Sequence, residues 1–244
     1  AERERPTVLV DPTKGWTVPA SDPRYASLTL RGIALGGDGW TGMTLPPSAT
    51  VALELVSVLG AGIELELADL PSGTHATARR CETGGLVLAG AGVLAVSDSI
   101  VDANPGVALR APVGEVELDR VSVGGEVRVR VLEASETIFD GHVRVEDRFR
   151  GCVRYSRVPA YSTLPRVHRV AFDTSVRVVS RNRRDPAWWR LRADCDPAIT
   201  RGAENGSEMG AFSSTQLAER MAGFERRLAE FTPAGLVTGI IRID

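Results

Sequence analysis

LAVSDSIVDANPG (Leu94–Gly106), VELDRVSVGGEV (Val116–Val127) and LEASETIFDGHV (Leu132–Val143) are three versions of one pattern. Apolar residues two apart run into an acid, then a small or polar residue, then a β-branched residue, and the run ends at glycine. Spacing of two is the strand period, because successive side chains point to opposite faces. The glycines, with Asn and Asp beside them, mark turns. LTLRGIALGGDG (Leu28–Gly39) and VALELVSVLGAG (Val51–Gly62) are looser copies. The pattern recurs at roughly 20 residues, with one double-length gap across the glycine-rich Thr74–Gly85.

A short period with several strands per unit and no helix between them predicts an all-β chain, a right-handed parallel β-helix. One coil cannot bury its own inner face, so coils stack and share an apolar column. Alternation places Leu94, Val96, Val116, Leu118, Val143 and Val145 inside, with Glu115, Glu117, Arg144 and Glu146 in water. An antiparallel sandwich would also use many short strands. It would need frequent two-residue hairpin turns, which this sequence does not supply, and its similarity would recur per strand rather than per coil.

Outward from this centre the character changes. Residues 1–27 are rich in proline and charge around one strand-like triplet, Val8-Leu9-Val10, and read as an N-terminal capping segment; the β-helix is expected over 28–160. Residues 161–244 read as a C-terminal cap over the open strand edges at the end of the stack. Within it, STQLAERMAGFERRLAEF predicts one amphipathic helix over about 214–231, with Leu217, Met221, Phe224, Leu228 and Phe231 as its apolar stripe. Ser213 and Gln216 form a capping box, Pro233 and Gly235 stop the helix, and LVTGIIRI reads as a final strand.

The bulk properties exclude some function classes. At 244 residues and a formal charge of -2, nothing draws the whole molecule to nucleic acid or anionic membranes, and no apolar run reaches the length of a membrane span. Lys14 is the only lysine, which we read as the coding bias of a GC-rich bacterial genome. Cys81, Cys152 and Cys195 are odd in number and far apart, unlike a disulfide framework or zinc site. The chain starts without methionine, as a processed product or an excised piece would.

From Gly151 onward the chain resembles bacterial proteins found with phage-tail-like contractile injection systems. The pieces that carry the resemblance are GCVRYSRVP (Gly151–Pro159), RDPAWWRLRADCDPAITRGAENGSEMGAF (Arg184–Phe212) and FTPAGLVTGI (Phe231–Ile240). The family's segments look like GCxRFSxVP, GDPxYxxLxxxCPxxIxxGAEDGSEMG and PAGLxAGI. Here Trp188 and Trp189 stand where tyrosine is usual, Asp196-Pro197 at the Cys-Pro step, and Asn205 for aspartate. The resemblance implies a β-helix with a C-terminal cap in a tail-like particle, often trimeric, and no established catalytic activity. It implies a bacterial protein assembled in the cytoplasm or on the particle rather than secreted classically.

Several residues are candidates for chemistry. Asp98, Asp119 and Glu136, stacked in register about 4.8 Å apart, would repel unless solvated, paired or bridged by a cation such as calcium. With Asp102 and Asp140 they would form the acid set of a polysaccharide lyase or glycoside hydrolase. His142, two residues from Asp140 on one strand face, is a candidate general base. Glu204 and Glu208, among Gly202, Gly206 and Gly210, offer a second carboxylate pair, though turns and backbone capping explain that loop as well. Arg128, Arg130 and Arg144 form a lateral face whose planar forks suit an acidic glycan, and Trp188-Trp189 would either stack on sugar or wedge the cap in place.

The expectation is a non-enzymatic structural or interaction module of a phage-tail-like particle, engaging its protein components or a glycan and needing no cofactor. The alternative is the carbohydrate-active enzyme just outlined, with calcium. A small-molecule enzyme with a pocket beside Trp188, Trp189 and Glu208 is a third class.

Overall fold

The computed structural model describes residues 7–9, 27–36, 42–45, 50–58, 64–67, 75–215, 217–233, 235 and 236. The chain is mostly β, and its described strands belong to one curled sheet, all of whose pairings are parallel; the one antiparallel contact among the described residues is an isolated bridge, Val178 to Leu191. Three ladders run along it. Ladder I joins Ser27–Arg31, Thr50–Glu54, His75–Arg79, Val93 to Ser97, Leu132 to Ser135, Gly151–Arg154 and Arg166–His168. Glu115 N–H bonds to the Gly92 carbonyl at 3.0 Å, which sets 115–119 beside 93–97 in the same ladder. Ladder II joins Thr7–Leu9, Ala34–Gly36, Ser57–Val58, Glu82–Thr83, Ile100-Val101, Ile138–Phe139, Arg157–Val158 and Ala171–Phe172. Ladder III joins Gly42–Leu45, Glu64–Leu67, Leu86–Leu88, then the 109–110, 127–129 and Val143–Val145 segments. From residue 27 on, the chain visits I, II and III in that order and returns to I one coil further on.

The bend between ladders I and II explains how a strand turns without losing its hydrogen bonds. One residue per coil takes a left-handed conformation: Gly32, Leu55, Arg80, Asp98, Arg120, Glu136, Tyr155 and Arg169, with φ between 47° and 66°. Corner N–H groups still bond to the next coil, as Gly32 to Glu54, Leu55 to Arg79 and Arg80 to Ser97, each at 3.0 Å. Just past the corner, buried hydroxyls take the remaining groups. Ser99 Oγ accepts from Cys81 N–H at 3.0 Å, and Ser156 Oγ accepts from Thr137 N–H at 3.1 Å. Left-handed φ costs an L-residue roughly 1–2 kcal/mol, offset here by a bend that leaves few polar groups orphaned.

The predicted inward residues Leu94, Val96, Val116, Leu118, Val143 and Val145 are all buried in one continuous apolar column. The column is aliphatic, with Phe139 the largest side chain in it. Arg144 and Glu146 are exposed and Glu115 is half-buried.

The structure corrects the sequence reading in several places. The double-length gap holds a coil of its own, with its corner at Arg80; its inward residues are Ala76 and Ala78, too small to show as an apolar run. Ladder II already includes Thr7–Leu9, and pairing continues to Phe172, so the coiled sheet exceeds 28–160 at both ends. The segment 173–215 climbs the side of the stack, over the outer face of ladder II, rather than closing its end. A second apolar cluster forms there: outward-facing Ile100 and Ile138 meet Trp188, Trp189, Cys195, Ile199 and Met209. Arg183 bonds the carbonyls of Val58 (2.9 Å), Thr83 and Asp102 (3.3 Å), three successive coils. At the other end Arg157 Nε bonds the Thr174 carbonyl at 2.7 Å.

The helix is Leu217–Phe231, after a short turn Ser213–Thr215. Ser213 Oγ donates to Glu136 at 2.9 Å, and Phe224 and Phe231 are 53% and 84% exposed, so these two do not pack on the stack. Gln216, the Leu217 and Met221 side chains and most of LVTGIIRI lie outside what is described. No helix among the described residues is long and apolar enough to cross a membrane.

Candidate functional site

Alternation on ladder I leaves an open groove of about 370 Å³ on its outer face. Ala95, Ser97 and Ser135 keep it shallow, while Glu117, Asp119, Glu133 and Arg154 supply its charge. The Asp119 carboxyl is held above the usual carboxylate range, first by burial and then by the Glu136 and Asp98 charges, against the pull of Arg120 and Arg154. A carboxyl whose pKa is raised is the raw material of a general acid. Glu117 and Glu133 are not site candidates in the sequence, and Arg154 belongs there only to the general run of arginines in the later coils. Their outward phase, aligned coil by coil with Asp119, was the signal that would have found them.

The other predicted acids are drawn apart. The corner column reads Asp98, Arg120, Glu136, so an arginine sits between the two acids and Asp119 lies one residue off it. Arg120 Nε bonds Asp98 at 2.7 Å and its Nη1 meets Asp119 at 2.6 Å. Glu136 is 9% exposed, and it accepts from Ser213 Oγ at 2.9 Å and Glu204 N–H at 3.3 Å. Asp102 accepts from Trp189 Nε1 at 2.7 Å, and Asp140 pairs with Arg181 at 2.9 Å. His142 packs against Tyr161, ring centroids 5.1 Å apart. No three of the described His, Cys, Asp and Glu residues come together as a metal site, so nothing here supports the calcium column Asp98, Asp119 and Glu136.

The tryptophan pair is no sugar platform: Trp188 and Trp189 are 4% and 1% exposed. Arg183 lies over the Trp188 ring at 4.8 Å and Arg181 over Trp189 at 4.4 Å. The loop Gly202–Gly210 is a turn that docks on Glu136, with Gly206 and Gly210 at φ 78° and 90°. Gly210 N–H bonds the Glu136 carbonyl at 2.7 Å. Glu204 faces solvent, whereas Glu208 is buried. Arg128 bonds Glu126 at 2.5 Å, Arg130 is half-buried and Arg144 is exposed.

Glu208 supplies a pH prediction. Its Oε1 is buried without a hydrogen-bond partner, and burial pushes its pKa to about 7, against a smaller lowering by Arg190. The folded protein therefore holds a proton that the unfolded chain releases near pH 4.5. Stability should fall as pH rises from about 4.5 to 7 and then level off. Glu208→Gln should flatten that fall and stabilise the protein at pH 8 by on the order of 2 kcal/mol. Urea midpoints at pH 5 and pH 8 test it; equal gains at both would rule it out.

Compared with known proteins, the chain matches no family model, no curated sequence and no solved structure.

Proposed function

We propose that this chain is a non-enzymatic interaction module, a right-handed parallel β-helix of a phage-tail-like particle whose open lateral surface engages a partner protein or glycan. The handedness follows the strong preference of parallel crossovers. The supporting observation is what happens to the acids. Asp98, Asp102, Asp140 and Glu136 each hold an arginine, an indole N–H or the docking loop, so they fasten the structure together instead of converging on a reacting bond. The segment 173–215 covers one side of the stack, and ladders I and III present charged outer faces.

Gradient-purified particles from the source bacterium should carry the chain, detected by antibody; finding it only in the soluble fraction would overturn the setting. The raised Asp119 carboxyl in the groove favours one second reading, a glycan-cleaving enzyme with Asp119 as general acid. Incubation with acidic polysaccharides should give neither unsaturated product nor new reducing ends. Turnover that Asp119→Asn abolishes would replace the first reading with the second.

A further inference from the structure

We infer that the outer face of ladder III binds a linear polysaccharide carrying one carboxylate per sugar, a polyuronate, lying along the stack axis. The assignment rests on the interaction-module reading and gives that module a ligand and a face.

Arg128 and Arg144 are register partners on adjacent coils. Arg110 occupies the same ladder one coil earlier, beside Val87. All three are exposed. Adjacent coils sit about 4.8 Å apart, and like charges directly opposite on neighbouring strands destabilise a sheet. Glu126 answers part of this field: its carboxyl is pulled below the usual range by the Arg128 hydrogen bond and then by the charges of Arg128, Arg144 and His142. Arg130, next along the strand, has its Nε buried with no hydrogen-bond partner. Among the described residues of these coils, the outward arginines Arg110, Arg128, Arg130 and Arg144 outnumber the outward carboxylates Glu126 and Glu146.

Its surroundings choose the ligand. A guanidinium fork matches a carboxylate with two parallel bonds, so a polymer with one carboxylate per repeat meets successive forks coil after coil. At the far end of the column Arg144 bridges to Thr163, and two residues earlier Tyr161 is 70% exposed with its ring tilted 47° against His142. An exposed ring beside a cation row is an apolar seat for a sugar face. Nucleic acid fits less well. Its affinity for protein comes chiefly from a dense phosphate charge, yet the whole chain carries -2 and the neighbouring face bears Glu117, Asp119 and Glu133.

Calorimetry of the full chain with polygalacturonate oligomers, neutral galactan and single-stranded DNA of similar length tests this. Polygalacturonate should bind, weaken as salt rises, and lose at least tenfold in affinity in the Arg128→Ala, Arg144→Ala double variant. The Arg128→Lys, Arg144→Lys variant keeps the charge without the fork and should lose several-fold. Tyr161→Ala should weaken binding with the salt dependence unchanged. These side chains are exposed, so circular dichroism should show the variants folded. Equal affinity for DNA or galactan, unchanged binding by either double variant, or no binding to polygalacturonate would overturn the assignment. A chain that still sediments with particles would then keep the module reading; a chain absent from particles fails that reading separately.

Discussion

Trp189→Ala is expected to destabilise the protein by about 3–5 kcal/mol, the range for truncating a fully buried aromatic. The indole is 1% exposed, in the cluster that joins 173–215 to Ile100 and Ile138. Its Nε1 donates to Asp102 at 2.7 Å, and Arg181, itself paired with Asp140, lies over the ring. Truncation removes apolar contact, takes one of two donors from the Asp102 carboxylate and leaves a cavity, three losses with one sign. Trp189→Phe separates them: it keeps much of the ring and forfeits the donor, so about 1 kcal/mol should remain for the lost hydrogen bond. Urea midpoints of the two variants give the comparison. If alanine costs less than 1 kcal/mol, the side segment is not held by this residue.

Gly151→Ala is the second large effect, about 3 kcal/mol of destabilisation from strain and overpacking together. Gly151 begins a ladder I strand at φ 88°, opposite Leu132. An added Cβ would fall on the Leu132 backbone carbonyl, and backbone gives way less readily than the tip of a side chain. Gly206, also at positive φ, is the control because a Cβ there meets nothing within 4 Å. Gly206→Ala should cost only the conformational strain, roughly 1–2 kcal/mol. Equal losses at the two positions would mean that close coil stacking at Gly151 contributes nothing.

Alternation was readable because the interior rewards it at every second position, and residues such as Val116 and Val143 fell where the period put them. Corner register was not readable. Only Gly32 announces left-handed backbone; Leu55, Arg80, Asp98, Arg120, Glu136, Tyr155 and Arg169 adopt it because the coils above and below bend there too. The acid column therefore slipped by one residue at Asp119, and an arginine took the place assigned to an acid. The side-on course of 173–215 did leave a trace. Ile100-Val101 and Ile138-Phe139 are consecutive apolar pairs, which a strand wetted on one side would not carry; each is buried on both faces. The groove that joins Glu117, Glu133 and Arg154 was not readable because it depends on how small their neighbours are across three coils, a comparison that needs the register first.

In a pile of like units each touches only the next, so melting can begin at a free end and travel like a zipper. The arm running from the Arg157–Thr174 bond to Arg183 on Val58, Thr83 and Asp102 fastens distant units directly to one another. Opening one of those coils must therefore loosen several, and the protein should resist fraying and axial pulling as a laced object does, yielding all at once.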